Sequence, residues 1–143
     1  MPVPQSLQLH HVGVAVAELA PAVESYVRRF GYTVVSPVFH DPTQTAFVQF
    51  LYLPGESSYL EFVAPDGPGS KLAGVLRKGG GLNHLCYSVA DIAAAVVELR
   101  ATGLVTVCEP VAAVAFPGRR IAWLLGNDRV PVELVEAGQP GSL

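Results

Sequence analysis

Two histidines and two glutamates occupy matching positions in the two halves of the chain. His11 lies in the segment 9–16, and His84 occupies the equivalent position of a similar segment, 82–89. Glu61 and Glu133 close the two halves and are separated by almost the same length of chain as the histidines. Imidazole nitrogen and carboxylate oxygen suit Zn, Mn, Fe, Co or Ni, and two donors of each kind leave coordination positions open for water or substrate. The repeat therefore predicts that His11, Glu61, His84 and Glu133 bind one divalent metal ion.

Both glutamates lie within apolar, strand-like segments. Leu60 and Phe62 flank Glu61, and Glu133 stands in a similar apolar stretch, residues 130–135. A carboxylate among apolar residues is costly to bury unless it is paired or bound to a metal. Taken singly, a strand histidine is more often a hydrogen-bonded pocket residue, and a strand glutamate more often lies on a solvated face. The symmetry of the repeat favours the metal site over these two readings.

The elements that must position these residues repeat as well. His11 alternates with Val12, and the same period of two continues to Val16, which indicates a half-buried strand. A helix is predicted from Pro21 to Phe30, with Leu19, Val23, Tyr26 and Phe30 as its core stripe. A second helix is predicted from Asp91, its N-cap, to Gly103, with Ile92, Ala95, Val96 and Leu99 facing the core. Both helices are expected to cover the apolar face of a sheet. The predicted later strands are 33–38, 46–53, 59–63, 105–108, 121–125 and 130–135, with a short helix at 70–78.

Length and composition restrict the classes of function. The chain has 143 residues, half of them hydrophobic and 15% charged, which predicts one compact core. The net charge is −3 and no run of Lys or Arg occurs, so nucleic acid is an unfavourable partner. No apolar stretch is long enough for a membrane span, and residues 1–5 lack the pattern of a signal peptide. A cytoplasmic location is expected.

Three motifs carry a resemblance to a known family: LHHVGVAV at 9–16, GGGLNHL at 79–85 and VELV at 132–135. Over residues 7–137 the chain resembles the vicinal oxygen chelate superfamily, which includes glyoxalases, bleomycin-resistance proteins, dioxygenases and epimerases, and it looks most like the methylmalonyl-CoA epimerase branch. The resemblance implies an α+β fold of two tandem βαβββ modules that form a cupped, mostly antiparallel sheet with helices on its outer face. It also implies a single domain, 1–143, with modules at about 7–64 and 82–137 joined by a linker at about 65–81, and a metal in the cup.

One departure from the epimerase pattern concerns the segment 40–45. The epimerases carry a second catalytic glutamate in this region, and here the segment reads HDPTQT. Inversion at carbon by two bases needs a group on each face of the carbon, so ordinary methylmalonyl-CoA epimerase activity is predicted to be weak or absent. His40, Asp41 or Gln44 could substitute, and of these His40 and Asp41 exchange a proton most readily. Pro42 favours a turn over a catalytic role.

The resemblance favours a metal-dependent lyase or isomerase that acts on a small carbonyl or acyl-thioester substrate through a metal-stabilised enolate. Glu133 is the predicted base, with a purely ligating role as the alternative. Arg119 and Arg120 could anchor a substrate carboxylate or phosphate, or could form a solvated strand end. Aromatic side chains could shape the site, although strand aromatics are usually core; the candidates are Phe47, Phe50, Tyr87 and Trp123.

Two other functions stay open at this point. The first is an antibiotic-binding protein without catalysis, although such relatives commonly lack the metal ligands. The second is an Fe(II) ring-cleaving dioxygenase, which would use two histidines and one carboxylate, so that Glu61 would be superfluous. In each case the partner is a small molecule. The motifs fit a site within one chain and a site shared between the chains of a homodimer equally well.

Overall fold

The fold is taken from a computed structural model that describes residues 6–143. Residues 1–5, which lack the pattern of a signal peptide, lie outside the described part of the chain. The described residues group into two compact units. The first comprises residues 11–83, and the second comprises 6–10 together with 84–143. The organisation as a single domain of two modules stays a prediction.

The first unit contains one strand, one helix and four further strands, followed by a short helix. Its sheet has the order β2-β4-β5-β1, and β3 also pairs with β4. Strand β1 runs parallel to β5, whereas β4 is antiparallel to β2, β3 and β5. The elements are β1 (Gln8–Ala15), α1 (Leu19–Phe30), β2 (Thr33–Val34), β3 (Phe39–Asp41), β4 (Ala46–Tyr52), β5 (Tyr59–Pro65) and α2 (Ala73–Arg77).

The second unit repeats this arrangement. Its strands have the order β6-β9-β8-β7, with β6 parallel to β9 and the other two pairings antiparallel. The elements are β6 (Gly81–Val89), α3 (Ile92–Ala101), β7 (Val105–Ala112), β8 (Arg120–Leu125) and β9 (Pro131–Glu136). The α+β class and the mostly antiparallel pairing are confirmed. The predicted strand 33–38 is wrong beyond Val34, where β2 ends, and β3 begins only after its predicted end. Pro37, between β2 and β3, lacks the N–H that continuous pairing requires.

Helix α3 packs on one face of the second sheet. The Asp91 carboxylate accepts a hydrogen bond from the Ala94 backbone N–H, which is the predicted N-cap. The four predicted stripe residues are all buried, and they form one core with sheet residues such as Leu124 and Leu134. Glu133 is the neighbour of Leu134 along β9, so its side chain projects from the opposite face. The buried face of the second helix thus agrees with the predicted helical spacing, and the direction of the Glu133 side chain agrees with strand alternation.

Helix α1 covers the corresponding face of the first sheet. It begins at Leu19, two residues earlier than predicted, and ends as predicted at Gly31, whose φ of 79° lets its N–H reach the Val27 carbonyl. The Tyr26 ring meets the Phe62 ring edge to face with 4.9 Å between centroids. Phe30 is 57% exposed and its ring meets the Tyr26 ring edge to face, so the predicted core stripe is wrong at Phe30.

The glycine-rich segment before β6 makes a close backbone contact. Gly80 has a φ of +75°, and a Cβ at this position would lie 2.7 Å from the Ala15 carbonyl oxygen. Only glycine fits this conformation and this approach without strain. Among the residues that the structure describes, no helix combines the length and apolarity needed to cross a membrane.

Candidate functional site

In the first unit, strands β1, β4 and β5 bring His11 and Glu61 together. Glu61 lies directly across from Gly13 on β1 and from Phe50 on β4. His11 precedes Gly13 by two positions and therefore shares its face of the sheet. The His11 Nε2 atom is 3.4 Å from Glu61 Oε1, and the histidine is fully buried while Glu61 is 3% exposed. This unit thus holds one buried imidazole–carboxylate pair.

In the second unit, β6, β8 and β9 form an equivalent pair. Glu133 lies across from Cys86 on β6 and from Trp123 on β8, and His84 precedes Cys86 by two positions. The His84 Nε2 atom is 3.4 Å from Glu133 Oε1, with His84 fully buried and Glu133 4% exposed. Strand register, donor atoms and separation all match those of the first pair. The sequence repeat is therefore a structural repeat at these positions.

An aromatic ring supports each histidine. The His11 and Phe50 rings meet edge to face with centroids 5.1 Å apart, and the His84 and Trp123 rings do the same at 4.9 Å. Such contacts fix the plane of an imidazole and so the direction of its nitrogen lone pair. Phe50 and Trp123 also occupy matching positions of the repeat, so the repeat itself could have separated them from the other aromatic candidates. Tyr87 packs against the helix-side core instead.

The 3.4 Å separation within each pair fits two ligands of one metal ion. Nitrogen and oxygen ligands bind such ions at about 2.0–2.2 Å, so two of them at angles of about 90–110° lie roughly 3.0–3.5 Å apart. A direct N–H···O hydrogen bond is usually shorter, at about 2.9–3.0 Å. Each pair therefore offers two buried donor atoms at a spacing typical of a metal site.

The face of β1 that carries His11 is more deeply buried than the sequence pattern suggests. Val12 and Val14, expected on the core side, are half-buried, whereas His11, Gly13 and Ala15 are buried. The half-buried valines agree with the predicted half-buried strand, and the deeper burial of His11 follows from its contacts with Phe50 and Glu61. His11 is thus a buried polar group among apolar neighbours, as are the few orienting polar groups of functional pockets.

The two candidates for a second base are held by local structure. The Nε2 atom of His40, which is largely exposed, lies 2.9 Å from Asp66 Oδ2. The Asp41 carboxylate accepts hydrogen bonds from the backbone N–H groups of Thr43 and Gln44 and from the Gln44 side-chain amide. Asp41 thus stabilises the turn that Pro42 predicts.

The adjacent arginines of the second unit have different surroundings. The Arg120 backbone N–H and guanidinium both donate to the Glu136 carboxylate, and this hydrogen bonding lowers the pKa of Glu136. The Arg119 guanidinium lies over the Phe116 ring, 4.8 Å from its centroid. Arg120 thus lies at an exposed strand end, in ion-pair contact with Glu136, whereas Arg119 packs against an aromatic ring.

The family model of the glyoxalase, bleomycin resistance protein and dioxygenase superfamily matches residues 10–123. The chain belongs to this superfamily. The resemblance inferred from the three motifs is thereby confirmed.

Members of the superfamily that are similar to the chain include coenzyme A thioester epimerases. An ethylmalonyl-CoA/methylmalonyl-CoA epimerase of Cereibacter sphaeroides is 38% identical over 98 residues, which are 67% of this chain and 71% of the relative. The mitochondrial methylmalonyl-CoA epimerase of Homo sapiens is 31% identical over 91% of this chain and 74% of its own. The crystal structure of methylmalonyl-CoA epimerase from Mycobacterium tuberculosis is 29% identical, with a TM-score of 0.84 over 97% of this chain and 94% of that one.

Proposed function

We propose that this chain is a metal-dependent isomerase that moves the proton next to the carbonyl of a coenzyme A thioester. The substrate would carry a second oxygen group close to the carbonyl, as methylmalonyl-CoA does. The single observation that carries this proposal is the pair of equivalent, buried His–Glu donor sets in a member of this superfamily. The epimerase relatives support the isomerase reaction over the lyase, antibiotic-binding and dioxygenase alternatives.

The proposed metal ligands are His11, Glu61, His84 and Glu133. Support comes from the donor spacing within each pair and from the burial of both carboxylates, which is unfavourable without a compensating positive charge. Two imidazoles and two carboxylates make a neutral site with a divalent ion. When bound, the ion would supply Lewis-acid stabilisation of the negative charge that develops on the substrate oxygens.

Glu133 is the proposed base. Its carboxylate is buried beside His84, so it is held in place and shielded from competing water. A carboxylate can act both as a metal ligand and as a proton acceptor, so Glu133 could serve in both roles. It would accept the proton from that carbon and return a proton to it, and exchange of the bound proton with solvent before the return would introduce deuterium in D₂O.

The proposal includes an expectation about stereochemistry. A proton that Glu133 removes and returns comes back to the same face of the carbon, and inversion needs a second group on the other face. His40 and Asp41 are engaged with Asp66 and with the turn. Exchange of the substrate proton with solvent is therefore expected to be faster than inversion of methylmalonyl-CoA.

The test is proton exchange in D₂O, followed by NMR of the α-carbon of methylmalonyl-CoA together with a chiral assay of the product. Metal-loaded protein is expected to incorporate deuterium at an enzymatic rate, and chelator-treated protein is expected to lose this activity. Restoration by added metal controls for damage during chelation. Equal exchange with and without metal would overturn the metal dependence, and inversion as fast as exchange would overturn the one-base expectation.

A further inference from the structure

Helices α1 and α3 are buried to different extents. Helix α3 buries four of its residues against its sheet, whereas α1, which covers the first sheet, has no buried residue. Val27 and Phe30 of α1 are 40% and 57% exposed, although they continue an apolar stripe at helical spacing that includes Val23. An amphipathic helix normally buries such a stripe. Helix α1 therefore presents an apolar side that its own sheet covers only in part.

The exposed part of this stripe projects sideways from the helix. The Tyr26 ring meets the Phe62 ring and so marks the direction of the first sheet. Successive residues of a helix are rotated by about 100°, which places Val23 about 60° and Val27 about 100° from Tyr26 around the axis. A partner that covers these two valines would therefore lie beside α1.

A cavity of about 430 Å³ adjoins the N-terminal end of α1, within the first unit. Leu19 of the helix forms part of its wall, together with the exposed side chains of Val38 and Phe47. Apart from Glu18, the residues that line it are apolar. A cavity of about 150 Å³ with apolar walls can hold a benzene ring, so this one has room for a phenyl side chain. Helix α1 thus has an apolar cavity at one end and an exposed aromatic ring, that of Phe30, at the other.

A two-fold axis beside the middle of α1 would bring each ring to the cavity of a second copy. Two α1 helices that pair in antiparallel directions about Ser25 place side chains at equal distances from this residue opposite each other. Val27 then faces Val23 of the second copy, and Phe30 lies within one residue of the level of its Leu19. Leu19 and Phe30 are also only about 20° apart around the helix, so the symmetry sets them on the same flank of the contact. The helix is therefore complementary in shape to a second copy of itself.

The charges of α1 are complementary in the same arrangement. Glu24 and Arg28 are exposed, and within residues 6–143 neither side chain has an ion-pair or hydrogen-bond partner, although they are one helical turn apart. In the antiparallel pairing, Glu24 of one copy lies within about 3 Å along the axis of Arg28 of the other, a gap that an arginine side chain can span. Opposite charges would therefore meet across the contact, and the symmetry would form each pair twice.

We propose that two copies of this chain associate through α1, each with Phe30 in the cavity beside Leu19 of the other. The contact is isologous, so every interaction occurs twice. Phe62, which contacts α1, is the neighbour of Glu61 along β5, so α1 and the His11–Glu61 pair lie on opposite faces of the first sheet. The interface therefore leaves the face of this pair uncovered, and the inference does not depend on the proposed function.

Sedimentation equilibrium of the full protein tests this association. The wild type is expected to be dimeric, and Phe30→Ala is expected to raise the dimer dissociation constant about tenfold or more, because a buried aromatic contact is lost at two places. Phe30 is exposed within one chain, so the variant should keep the circular dichroism of the wild type. Val97→Ala is the matched control, since Val97 of α3 is 68% exposed and lies outside the proposed contact, and it should dimerise as the wild type does. A monomeric wild type, or unchanged affinity in Phe30→Ala, would overturn the proposal.

An exchange of charges tests the antiparallel orientation of the two helices. Glu24→Arg and Arg28→Glu each set like charges opposite one another and should weaken self-association several-fold, whereas Glu56→Arg, at an exposed turn of the first unit, should not. An equimolar mixture of Glu24→Arg and Arg28→Glu restores opposite charges across the contact and should form mixed dimers more tightly than either variant associates with itself. Repulsion within each helix persists in the mixture, so this recovery can arise only between chains. A mixture that associates no more tightly than its components would overturn the proposed pairing.

Discussion

Replacement of His84 by alanine distinguishes one metal site shared by all four proposed ligands from two independent sites. If all four proposed ligands hold one ion, then loss of His84 removes a donor from the only site, and metal binding to the whole protein weakens. If each His–Glu pair held its own ion, the pair formed by His11 and Glu61 would still bind metal in this variant. The two arrangements therefore predict different metal contents, which makes the substitution more informative than a test of activity.

The expected increase in Tm on metal binding follows from the linkage between metal binding and folding. At a free metal concentration about 1,000 times the dissociation constant, binding stabilises the folded state by about 4.1 kcal/mol. The chain has 143 residues, and an unfolding entropy of about 2.1 cal/mol/K per residue converts this stabilisation to a Tm increase of roughly 14 °C. At the same metal concentration, His84→Ala should show an increase of only a few degrees. The buried ring also leaves a cavity beside Trp123, at a cost of about 2–4 kcal/mol, so the metal-dependent shift must be compared rather than the absolute Tm.

The assay is differential scanning calorimetry with and without metal, combined with elemental analysis of the dialysed protein. Wild-type protein should contain about one metal equivalent per chain, and His84→Ala should contain little. His40→Ala is the matched control, since His40 is largely exposed and hydrogen-bonded to Asp66, and its metal-dependent shift should equal that of the wild type. Two equivalents in the wild type and one in His84→Ala would refute a single four-ligand site.

Three further predictions concern the turn, an ion pair and a glycine. Asp41→Ala should lower the free energy of unfolding by about 1–2 kcal/mol, because the turn loses its hydrogen-bond acceptor, and urea titration measures this loss. The same variant should exchange the substrate proton at the wild-type rate in the D₂O assay. Arg120 lowers the pKa of Glu136, so the pair stabilises the fold above the ordinary glutamate pKa, and this stabilisation is lost as the pH falls through the lowered value. Because both groups are partly exposed, Glu136→Gln should lower the free energy of unfolding by less than about 1 kcal/mol at pH 7 and should not change it at pH 2. Gly80→Ala should lower the Tm by several degrees through strain and contact with a backbone oxygen, and an unchanged Tm would show that the segment adapts.

Much of the fold was predictable because the internal repeat and the spacing of apolar residues both indicate which side chains are buried. The core stripe of α3 and the outward direction of Glu133 followed from periods of 3.6 and 2. The exposure of Phe30 was not predictable, since a helical stripe shows which residues share a face but not how far the sheet beneath extends. The early end of the predicted strand 33–38 has a signal in the sequence, because Pro37 lacks the N–H that continued pairing would need.

The candidate site was predictable to the level of pairs. The nearly equal separations of the two histidines and of the two glutamates identified His11, Glu61, His84 and Glu133, and the strand registers place each histidine next to its glutamate. The burial of the β1 face that carries His11 could not be read from the sequence in this way. Phe50 and Glu61, which pack against His11, are distant from it in the sequence and leave no signal within β1.

Deuterium incorporation by metal-loaded Glu133→Gln protein tests the central claim most directly. Glutamine keeps an oxygen donor of similar size but removes the basicity and the charge, and saturating metal compensates for weaker binding. The claim predicts that methylmalonyl-CoA still binds while its α-proton no longer exchanges with solvent, whereas Glu136→Gln, further along on the other face of β9, exchanges it at the wild-type rate. Exchange at the wild-type rate in fully loaded Glu133→Gln protein would contradict the claim and reduce Glu133 to a metal ligand.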